Sequence, residues 1–310
     1  MIRIAQALAV GLAAMLVSIT AAAADLAVTR VSEQVYSAIG ETQPPSYENR
    51  GHNNNLSFII TDGGVVVVNG GDNYLLARDL HAQIRARTEA PVRFVINENG
   101  QGHAFLGNAY WAEQGVEIIA HRLAVEEIRQ HGEASLRSMR ERNRELAEGT
   151  SVVVPDRVME GDSMVLQLGA TRVEILRFGP AHSPGDISVW LPRESVLIAG
   201  DIAFHQRLLG IFPDTDVAGW ISSFDTMAAL QPTIVVPGHG APTDMAEITR
   251  YTRDYLQFLT DEVAQILASD GDLADAYAID QSAYEHLDTF EELAGKNAGR
   301  LFQTMEMDMF

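Results

Sequence analysis

The sequence of 310 residues contains no cysteine and only one lysine, Lys296. Without cysteine the chain has no disulfide, no thiol nucleophile and no thiolate ligand for a metal. Any transition metal bound here must therefore be held by histidine, aspartate, glutamate or backbone oxygen. The hydrophobic fraction of 46% is normal for a globular protein and excludes a disordered or collagen-like chain.

Basic residues are scarce as well. The 22 Lys and Arg residues stand against 42 Asp and Glu residues, which gives a formal net charge of -20. A surface of that sign repels nucleic acid and anionic lipid, so we expect neither as a partner. We interpret the acidity itself as a solvated surface, and we expect the partner to be a small-molecule substrate. The sequence leaves the oligomeric state open.

The first 24 residues have the pattern of a secretory signal peptide. Arg3 supplies a positive charge, an apolar run follows from about residue 4 to residue 19, and Ala22 and Ala24 form a small-residue cleavage pattern. The apolar run is short for a membrane span of about 20 residues. We predict cleavage before Asp25 and a periplasmic or secreted protein without a membrane anchor. The alternative is an uncleaved anchor.

Apolar periodicity predicts a chain of mixed strands and helices. Alternating runs predict strands at 26–31, 34–39, 55–60 and 65–69, and spacing of three to four residues predicts a helix over residues 74–87. Further strands are predicted at 91–97, 116–120, 151–154, 163–168, 171–178, 186–191, 195–199 and 233–237, and further helices at 104–114, 121–148, 217–230 and from about 245 onward. Gly132 is a candidate interruption. We predict one α/β (α+β) domain over residues 25–310.

Ligand-type side chains concentrate in loops at the ends of predicted strands. They occur over residues 97–103, 179–186, 200–201 and 237–240, and each of these segments contains histidine or aspartate. Glycine and proline fix tight turns there, and rigid strands position such loops for function. A single loop histidine is weak support, but the recurrence of the same context predicts a metal centre.

At these loops the sequence resembles the metallo-β-lactamase-fold hydrolases. GPAHSPGDISVWLPRESVLIAGD (179–201) resembles their second metal loop and hairpin, and VVPGHG (235–240) resembles their last metal loop. VVVVNGGDN (65–73) resembles their early strand and turn, where Asn69 replaces the usual acidic residue. VINENGQGHAFLGNAYW (95–111) lies where that family has its His-x-His-x-Asp-His signature. The resemblance covers about residues 30–245 and implies a four-layered αββα sandwich.

The first metal motif departs from the family pattern. With Gly107-Asn108 as the anchor, the family's two leading histidines fall on Asn99 and Gln101, its aspartate on His103 and its last histidine on Ala104. The resemblance therefore implies one metal ion rather than two. The implied ligands are His103, Asp201 and His239, with His182 as a fourth ligand or a close neighbour.

Imidazole and carboxylate ligands favour zinc, and iron or manganese less decisively. With three ligands the site keeps an open position for water and has catalytic form, whereas four tetrahedral ligands would make it structural. Metal-bound water has its pKa lowered towards about 7 and can attack a carbonyl or phosphoryl centre. The candidate catalytic carboxylates are Asp201 and Glu98. The candidate substrate-binding residues are Asn99, Gln101, His205, Arg207 and His52.

Three functions remain open at this point. The first is a secreted, mononuclear metal-dependent hydrolase that cleaves an ester, thioester, lactone or amide bond with metal-activated water. The second is a catalytically reduced binding or accessory protein on the same scaffold. The third is an iron-dependent redox enzyme. Because both leading histidines are missing, we expect weak or no β-lactam hydrolysis.

Overall fold

The structure is a computed structural model that describes residues 26–309. The predicted signal peptide over residues 1–24 lies outside the described residues. Within the described part, two β-sheets pack face to face, and helices cover the outer face of each sheet. None of the helices in residues 26–309 is long and apolar enough to cross a membrane.

The first sheet has seven strands in sequential order. Strands β1 to β4 pair antiparallel, and β4 to β7 pair parallel. The strands are β1 (Thr29–Arg30), β2 (Val35–Ala38), β3 (Leu56–Thr61), β4 (Gly64–Val68), β5 (Val92–Ile96), β6 (Glu117–His121) and β7 (Arg157–Met159).

The second sheet has five strands in the order β12-β11-β10-β9-β8. Its pairs are antiparallel except β11 with β12, which run parallel. The strands are β8 (Ser163–Leu168), β9 (Thr171–Leu176), β10 (Ser188–Leu191), β11 (Val196–Phe204) and β12 (Ile234–His239).

The helices connect these strands and form the C-terminal part of the described chain. They are α1 (Tyr74–Arg85), α2 (Gly102–Phe105), α3 (Asn108–Glu113), α4 (Arg122–Asn143), α5 (Val217–Ala228), α6 (Met245–Ile248), α7 (Asp254–Ala268), α8 (Leu273–Tyr277) and α9 (Phe290–Met307). A π-helical turn, Thr249–Arg253, joins α6 to α7. Short 3-10 helices cover Arg144–Ala147 and Ser282–Tyr284.

Strand β4 shows why the sequence forms layers. It is apolar throughout because both of its faces are buried. Val66 and Val68 point into the core between the two sheets, whereas Val65 and Val67 pack against the helical layer that includes Leu80 of α1. The second sheet is covered in the same way by α5, α7 and α9. The expected four-layered αββα sandwich is therefore confirmed.

Two local expectations were wrong. Residues 151–154 do not form a strand, and the strand of this region is Arg157–Met159, because Val152 and Val154 pack on the cluster around Phe105 instead. Gly132 does not interrupt α4. A Cβ at Gly132 would lie 3.1 Å from Cγ1 of Val152, so this glycine allows close packing of the helix.

Strand β11 is longer than the sequence indicates, and this matters for the site. The predicted strand ended at residue 199, but β11 continues to Phe204 with register shifts relative to β12. Asp201 consequently lies inside a strand in the sheet, rather than in a loop beyond it. Such irregular pairing re-aims side chains next to functional sites.

Candidate functional site

The loop after β5 is built on buried amide side chains. Nδ2 of Asn97 donates to the carbonyl oxygen of Ala104 over 2.7 Å and to Oδ1 of Asn108 over 3.0 Å, and Asn108 Nδ2 donates back to Asn97 Oδ1 over 2.8 Å. These bonds close the loop on itself. His103 is the second residue of the short helix α2, which starts at Gly102 within this loop.

Three side chains meet at the ends of the two sheets. His103 Nε2 lies 3.3 Å from Asp201 Oδ2, and His239 Nε2 lies 3.4 Å from Asp201 Oδ1. One ligand atom from each of the three residues lies within 4.8 Å of the other two. A tetrahedral metal with bonds of about 2.0–2.1 Å separates its ligand atoms by about 3.4 Å, so this spacing suits a metal ion.

His239 is oriented by a contact on its far side. Its Nδ1 donates to the carbonyl oxygen of Asn53 over 2.5 Å, and Phe204 stacks on its ring at 5.0 Å. This fixes the tautomer, so the lone pair of Nε2 points towards Asp201, as metal-ligating histidines require. Burial lowers the pKa of His239 to about 3, which keeps the ring neutral.

His182 stands beside this group at a greater distance. Its Nε2 lies 3.9 Å from Asp201 Oδ2. The ring packs against the edges or faces of Phe204, Phe212 and Trp220 at 5.1–5.4 Å. Burial lowers the pKa of His182, so it is a neutral imidazole next to the cluster.

His103 lies between two carboxyl groups. Glu98 Oε1 lies 3.5 Å from His103 Nε2, and Asp201 Oδ2 lies 3.3 Å from the same nitrogen. Burial disfavours a charge on the ring, but Asp201 and then Glu98 outweigh it and raise the pKa of His103 to about 10. The cluster therefore attracts a positive charge. Despite burial, His103 holds the pKa of Asp201 well below its ordinary value.

Unpartnered polar atoms test whether a metal fits. Among the described residues, His103 Nε2, His182 Nδ1, Glu98 Oε2 and Asp201 Oδ1 are buried and lack a hydrogen-bond partner. Buried polar groups are almost always satisfied, and exceptions concentrate at ligand sites. Two imidazoles and a carboxylate are also a ligand set that divalent metals accept. The residues present fit a metal ion.

Asn99 is fully buried and holds two carboxyl groups. Its Nδ2 donates to Asp186 Oδ1 over 3.1 Å and to Asp201 Oδ2 over 3.2 Å. Asp186 in turn accepts bonds from Ser183. Both amide hydrogens of Asn99 are thus used inside the protein. The structure places it as a support for Asp201 rather than on the cavity wall.

Glu98 is held on two sides. Asn69 Nδ2 donates to Glu98 Oε1 over 2.8 Å, and Asn69 Oδ1 accepts the backbone N–H of Glu98 over 3.2 Å. On the other side, a Cβ at Gly200 would lie 1.7 Å from Glu98 Oε2. Burial and the nearby charge of Asp201 raise the pKa of Glu98. Glu98 is 1% exposed and does not line the cavity.

A cavity of about 530 Å³ opens above the three histidines. Its walls come from residues 44–45, the loop after β5, helix α4, the segment after β11 and the start of α9. Gln101 and Arg207 lie on this wall together with His103, His182 and His239. The dimensions suit a small-molecule ligand.

His205 and His52 do not line this cavity. His205 Nε2 contacts the carbonyl oxygen of Ala241 over 2.6 Å, and its Nδ1 lies 3.9 Å from Glu247 Oε1. His52 lies in the loop before β3, where burial lowers its pKa to about 4. The structure brings neither ring to the cavity.

Arg207 lies on the cavity wall, and its guanidinium makes few hydrogen bonds within the described chain. Its Nη1 lies 3.4 Å from His239 Nδ1, and its Nε is buried without a hydrogen-bond partner in the described chain. Burial lowers the pKa of Arg207, but a guanidinium remains charged at neutral pH. Arg207 lines the cavity beside the cluster, where its positive charge can attract an anionic group.

Sequence reasoning missed a charged pair on the cavity wall. Arg142 Nη2 of α4 donates to Asp72 Oδ2 over 2.5 Å, and Asn143 Nδ2 donates to the same oxygen over 3.2 Å. Burial raises the pKa of Asp72 to about 6 against the opposing effect of Arg142. The available signal was the position of Asp72 in the turn after β4, beside the predicted metal loops.

Comparison with known sequences agrees with the resemblance that the metal loops show. The family model described as the metallo-beta-lactamase superfamily matches residues 49–239. A metallo-beta-lactamase type 2 of Bacteroides fragilis is 23% identical over 243 residues, which are 73% of this chain and 84% of that protein. A linear primary-alkylsulfatase of a Pseudomonas species is 23% identical over 241 residues, which are 65% of this chain and 45% of that protein.

Comparison with solved structures shows the same fold. A metallo-beta-lactamase from Pontibacter korlensis superposes with a TM-score of 0.61 at 20% identity and covers 75% of this chain and 99% of its own. A stereoselective inverting sec-alkylsulfatase from a Pseudomonas species superposes with a TM-score of 0.69 at 17% identity. That match covers 89% of this chain and half of the sulfatase chain.

Proposed function

The chain belongs to the metallo-β-lactamase superfamily, and from this premise we propose that it is a secreted metal-dependent hydrolase with a single metal ion. The observation that carries the proposal is the group of His103, Asp201 and His239, whose ligand atoms lie within 4.8 Å of one another below a cavity. The reaction class is hydrolysis of an ester, thioester, lactone or amide bond.

His103, Asp201 and His239 would hold the ion, with His182 beside them. When bound, a zinc ion polarises a carbonyl oxygen and lowers the pKa of water, as do iron and manganese to differing extents. Asn53 holds the tautomer of His239, and Asn99 holds the carboxylate of Asp201. The chain thus fixes the ligand atoms before any substrate arrives, as an effective site requires.

The cavity wall supplies the contacts for the substrate. Arg207 binds an anionic group of the substrate, since its guanidinium is charged and the residue lines the cavity beside His239. The amide of Gln101, on the same wall, can donate a hydrogen bond to the oxygen on which negative charge develops. His103, His182 and His239 form the floor against which the scissile bond lies.

A carboxyl group at the cluster takes up the proton that water releases. Asp201 and Glu98 are the two carboxyl groups within 3.5 Å of His103 Nε2. Asp201 belongs to the group that would hold the ion, which leaves Glu98 as the carboxyl group for this proton. Neither residue lines the cavity, so each acts at the base of the site.

Secretion is proposed from the signal pattern of residues 1–24. The chain has no cysteine, so export to an oxidising compartment would not create disulfides in it. The acidic net charge repels the phosphate backbone, so we do not expect nucleic acid to be a partner.

The test uses the mature protein in two forms, metal-free and reconstituted with Zn²⁺. Both forms are offered 4-nitrophenyl butyrate, a butyryl thioester, a γ-lactone and the β-lactam nitrocefin. We expect turnover of at least one of the first three substrates only in the reconstituted form, loss of that turnover in His239→Ala, and little or no nitrocefin hydrolysis. Equal, background-level rates for both forms on every substrate would favour an accessory protein on this scaffold.

A further inference from the structure

Five consecutive backbone carbonyl groups around His239 accept hydrogen bonds from two residues. The carbonyl groups belong to residues 237–241, at the end of β12 and just after it, and the donors are Asn55 and His205. His239 is one of the three residues that would hold the ion. The backbone that carries this ligand is therefore held by residues from other segments of the chain.

Asn55 supplies three of these five bonds. Its side-chain Nδ2 donates to the carbonyl oxygens of Pro237 over 2.8 Å and Gly240 over 2.7 Å, and its backbone N–H donates to that of Gly238 over 2.8 Å. Both hydrogens of the side-chain amide are thereby used, and Oδ1 accepts the backbone N–H of Gly40 over 3.2 Å. Asn55 is 3% exposed, so these bonds are shielded from water.

His205 supplies the other two bonds. Its backbone N–H donates to the carbonyl oxygen of His239 over 3.2 Å, and its Nε2 donates to that of Ala241 over 2.6 Å. Asn55 comes directly before β3 of the first sheet, whereas His205 directly follows β11 of the second sheet. Donors next to strands of both sheets thus fix the backbone around His239.

This backbone also lies very close to Asp201. A Cβ at Gly238 would lie 2.1 Å from Asp201 Oδ1 and 2.9 Å from the backbone nitrogen of Asp201, so only glycine fits at position 238. His239 Nε2 lies 3.4 Å from the same carboxylate oxygen. Metal–ligand distances stay within about 0.2 Å of their ordinary values, so even a small displacement of this backbone would weaken the bond between His239 and the ion.

We infer that Asn55 is a positioning residue for the metal ion and acts through the backbone that carries His239. The inference rests on the proposed function, which places the ion at His103, Asp201 and His239. Asn55 does not line the cavity, so it contacts neither the substrate nor the reacting atoms. Its amide fixes the ligand atom of His239 before the ion binds, so that binding does not have to order the backbone.

The test compares Asn55→Ala with Asn297→Ala in the full mature chain. Asn297 is a matched control because it is also buried and makes the same number of side-chain hydrogen bonds. Its Nδ2 donates to the carbonyl oxygen of Leu209 over 2.8 Å and to the hydroxyl of Tyr255 over 3.0 Å, and its Oδ1 accepts the backbone N–H of Ile211 over 2.8 Å. Both variants should therefore unfold at a lower urea concentration than the metal-free parent.

Metal binding separates the two variants. Metal-free protein is titrated with Co²⁺, and binding is followed by calorimetry and by the visible absorption of the bound ion. We expect N55A to weaken Co²⁺ binding at least about tenfold and to change the spectrum, because His239 loses its fixed position. We expect N297A to bind Co²⁺ within about threefold of the parent and with the parental spectrum, because its bonds hold a different segment.

A second measurement follows the ring of His239 without metal. The carbonyl oxygen of Asn53, two residues before Asn55, accepts from His239 Nδ1 over 2.5 Å. Nitrogen NMR of the imidazoles in metal-free protein, assigned with His239→Ala, should show the Nδ1–H tautomer in the parent and in N297A, and a mixture of tautomers in N55A. Asn55→Ser and Asn297→Ser, which remove less volume, replace the alanine pair if that pair does not fold.

Parental Co²⁺ affinity in N55A would overturn the inference, and so would an equal weakening in N297A, which would reflect general destabilisation. A parent that binds no Co²⁺ would instead contradict the proposed function. In that case the tautomer of His239 in metal-free N55A decides the inference: a mixture of tautomers supports it, and the parental tautomer overturns it.

Discussion

Asn69 and Glu98 bond each other twice across two loops. The side chain of Asn69 donates to Glu98 Oε1 over 2.8 Å and accepts the backbone N–H of Glu98 over 3.2 Å. The pair links the turn after β4 to the loop after β5. It also explains why an amide, rather than the acidic residue usual in the family, occupies position 69.

Asn69→Asp is expected to destabilise the metal-free protein by about 3 kcal/mol, because it places a second carboxylate within hydrogen-bond distance of Glu98 in a buried site. Urea unfolding measures the loss. Combining N69D with E98Q restores one amide and one carboxylate, so most of the lost stability should return. An N69D protein as stable as its parent would show that the two side chains do not face each other.

Arg207→Ala tests the anion contact. We expect the KM for mono-4-nitrophenyl glutarate to rise about 10- to 100-fold, with kcat changed little, because a charge-assisted hydrogen bond is lost. The KM for the neutral ester 4-nitrophenyl butyrate should stay within about threefold, since the contact requires a substrate charge. Equal effects on both esters would assign Arg207 to the packing of His239 instead.

His182 and His239 are expected to differ in metal binding. His239→Ala removes an oriented ligand nitrogen that lies 3.4 Å from Asp201 Oδ1, so bound metal should be lost. His182→Ala removes a ring that lies 3.9 Å from the nearest Asp201 oxygen, so the ion should remain, with affinity reduced by about tenfold or less. Elemental analysis after dialysis measures the metal that each variant retains. Complete metal loss in H182A would place His182 among the ligands.

His121 gives a pH dependence that is separate from the metal site. Its Nδ1 accepts the backbone N–H of Leu123 at the start of α4 over 3.3 Å, and burial with nearby arginines lowers its pKa to about 4. The unfolded chain takes up this proton near pH 6.5, before the folded protein does. Stability contributed by neutral His121 is therefore present above pH 6.5 and is lost as pH falls towards 4, by up to about 1.4 kcal/mol per pH unit.

His121→Asn retains a side chain that can cap α4 but does not titrate. The free energy of unfolding should fall less steeply in this variant than in the parent between pH 6.5 and pH 4, and the two slopes should agree at pH 7–8. Urea unfolding at half-unit pH steps provides the comparison. Parallel curves over the whole range would exclude a depressed pKa at His121.

Much of the architecture follows from sequence periodicity. The four consecutive valines of β4 predict a strand buried on both faces, and the structure distributes them between the core of the two sheets and the helical layer. The strand at 151–154 was misplaced because Val152 and Val154 satisfy their apolar character against Phe105 without pairing. A short apolar run does not reveal whether its backbone joins a sheet.

The contacts within the site were harder to predict from the sequence than the fold, because they join side chains from distant segments. The residue types of His103, Asp201 and His239 indicated metal chemistry, and the structure brings these three together. The pairing of Arg142 with Asp72 over 70 residues has no local pattern. The sequence likewise does not show that Asn99 donates to Asp186 and Asp201, because tertiary packing selects the rotamer of its side chain.

The most direct test of the account is the metal content of the purified mature protein, measured by mass spectrometry after reconstitution and dialysis, beside His103→Ala. We expect about one equivalent of divalent metal per chain in the parent and none in H103A. Two equivalents in the parent, or an undiminished equivalent in H103A, would contradict a single ion held by His103, Asp201 and His239.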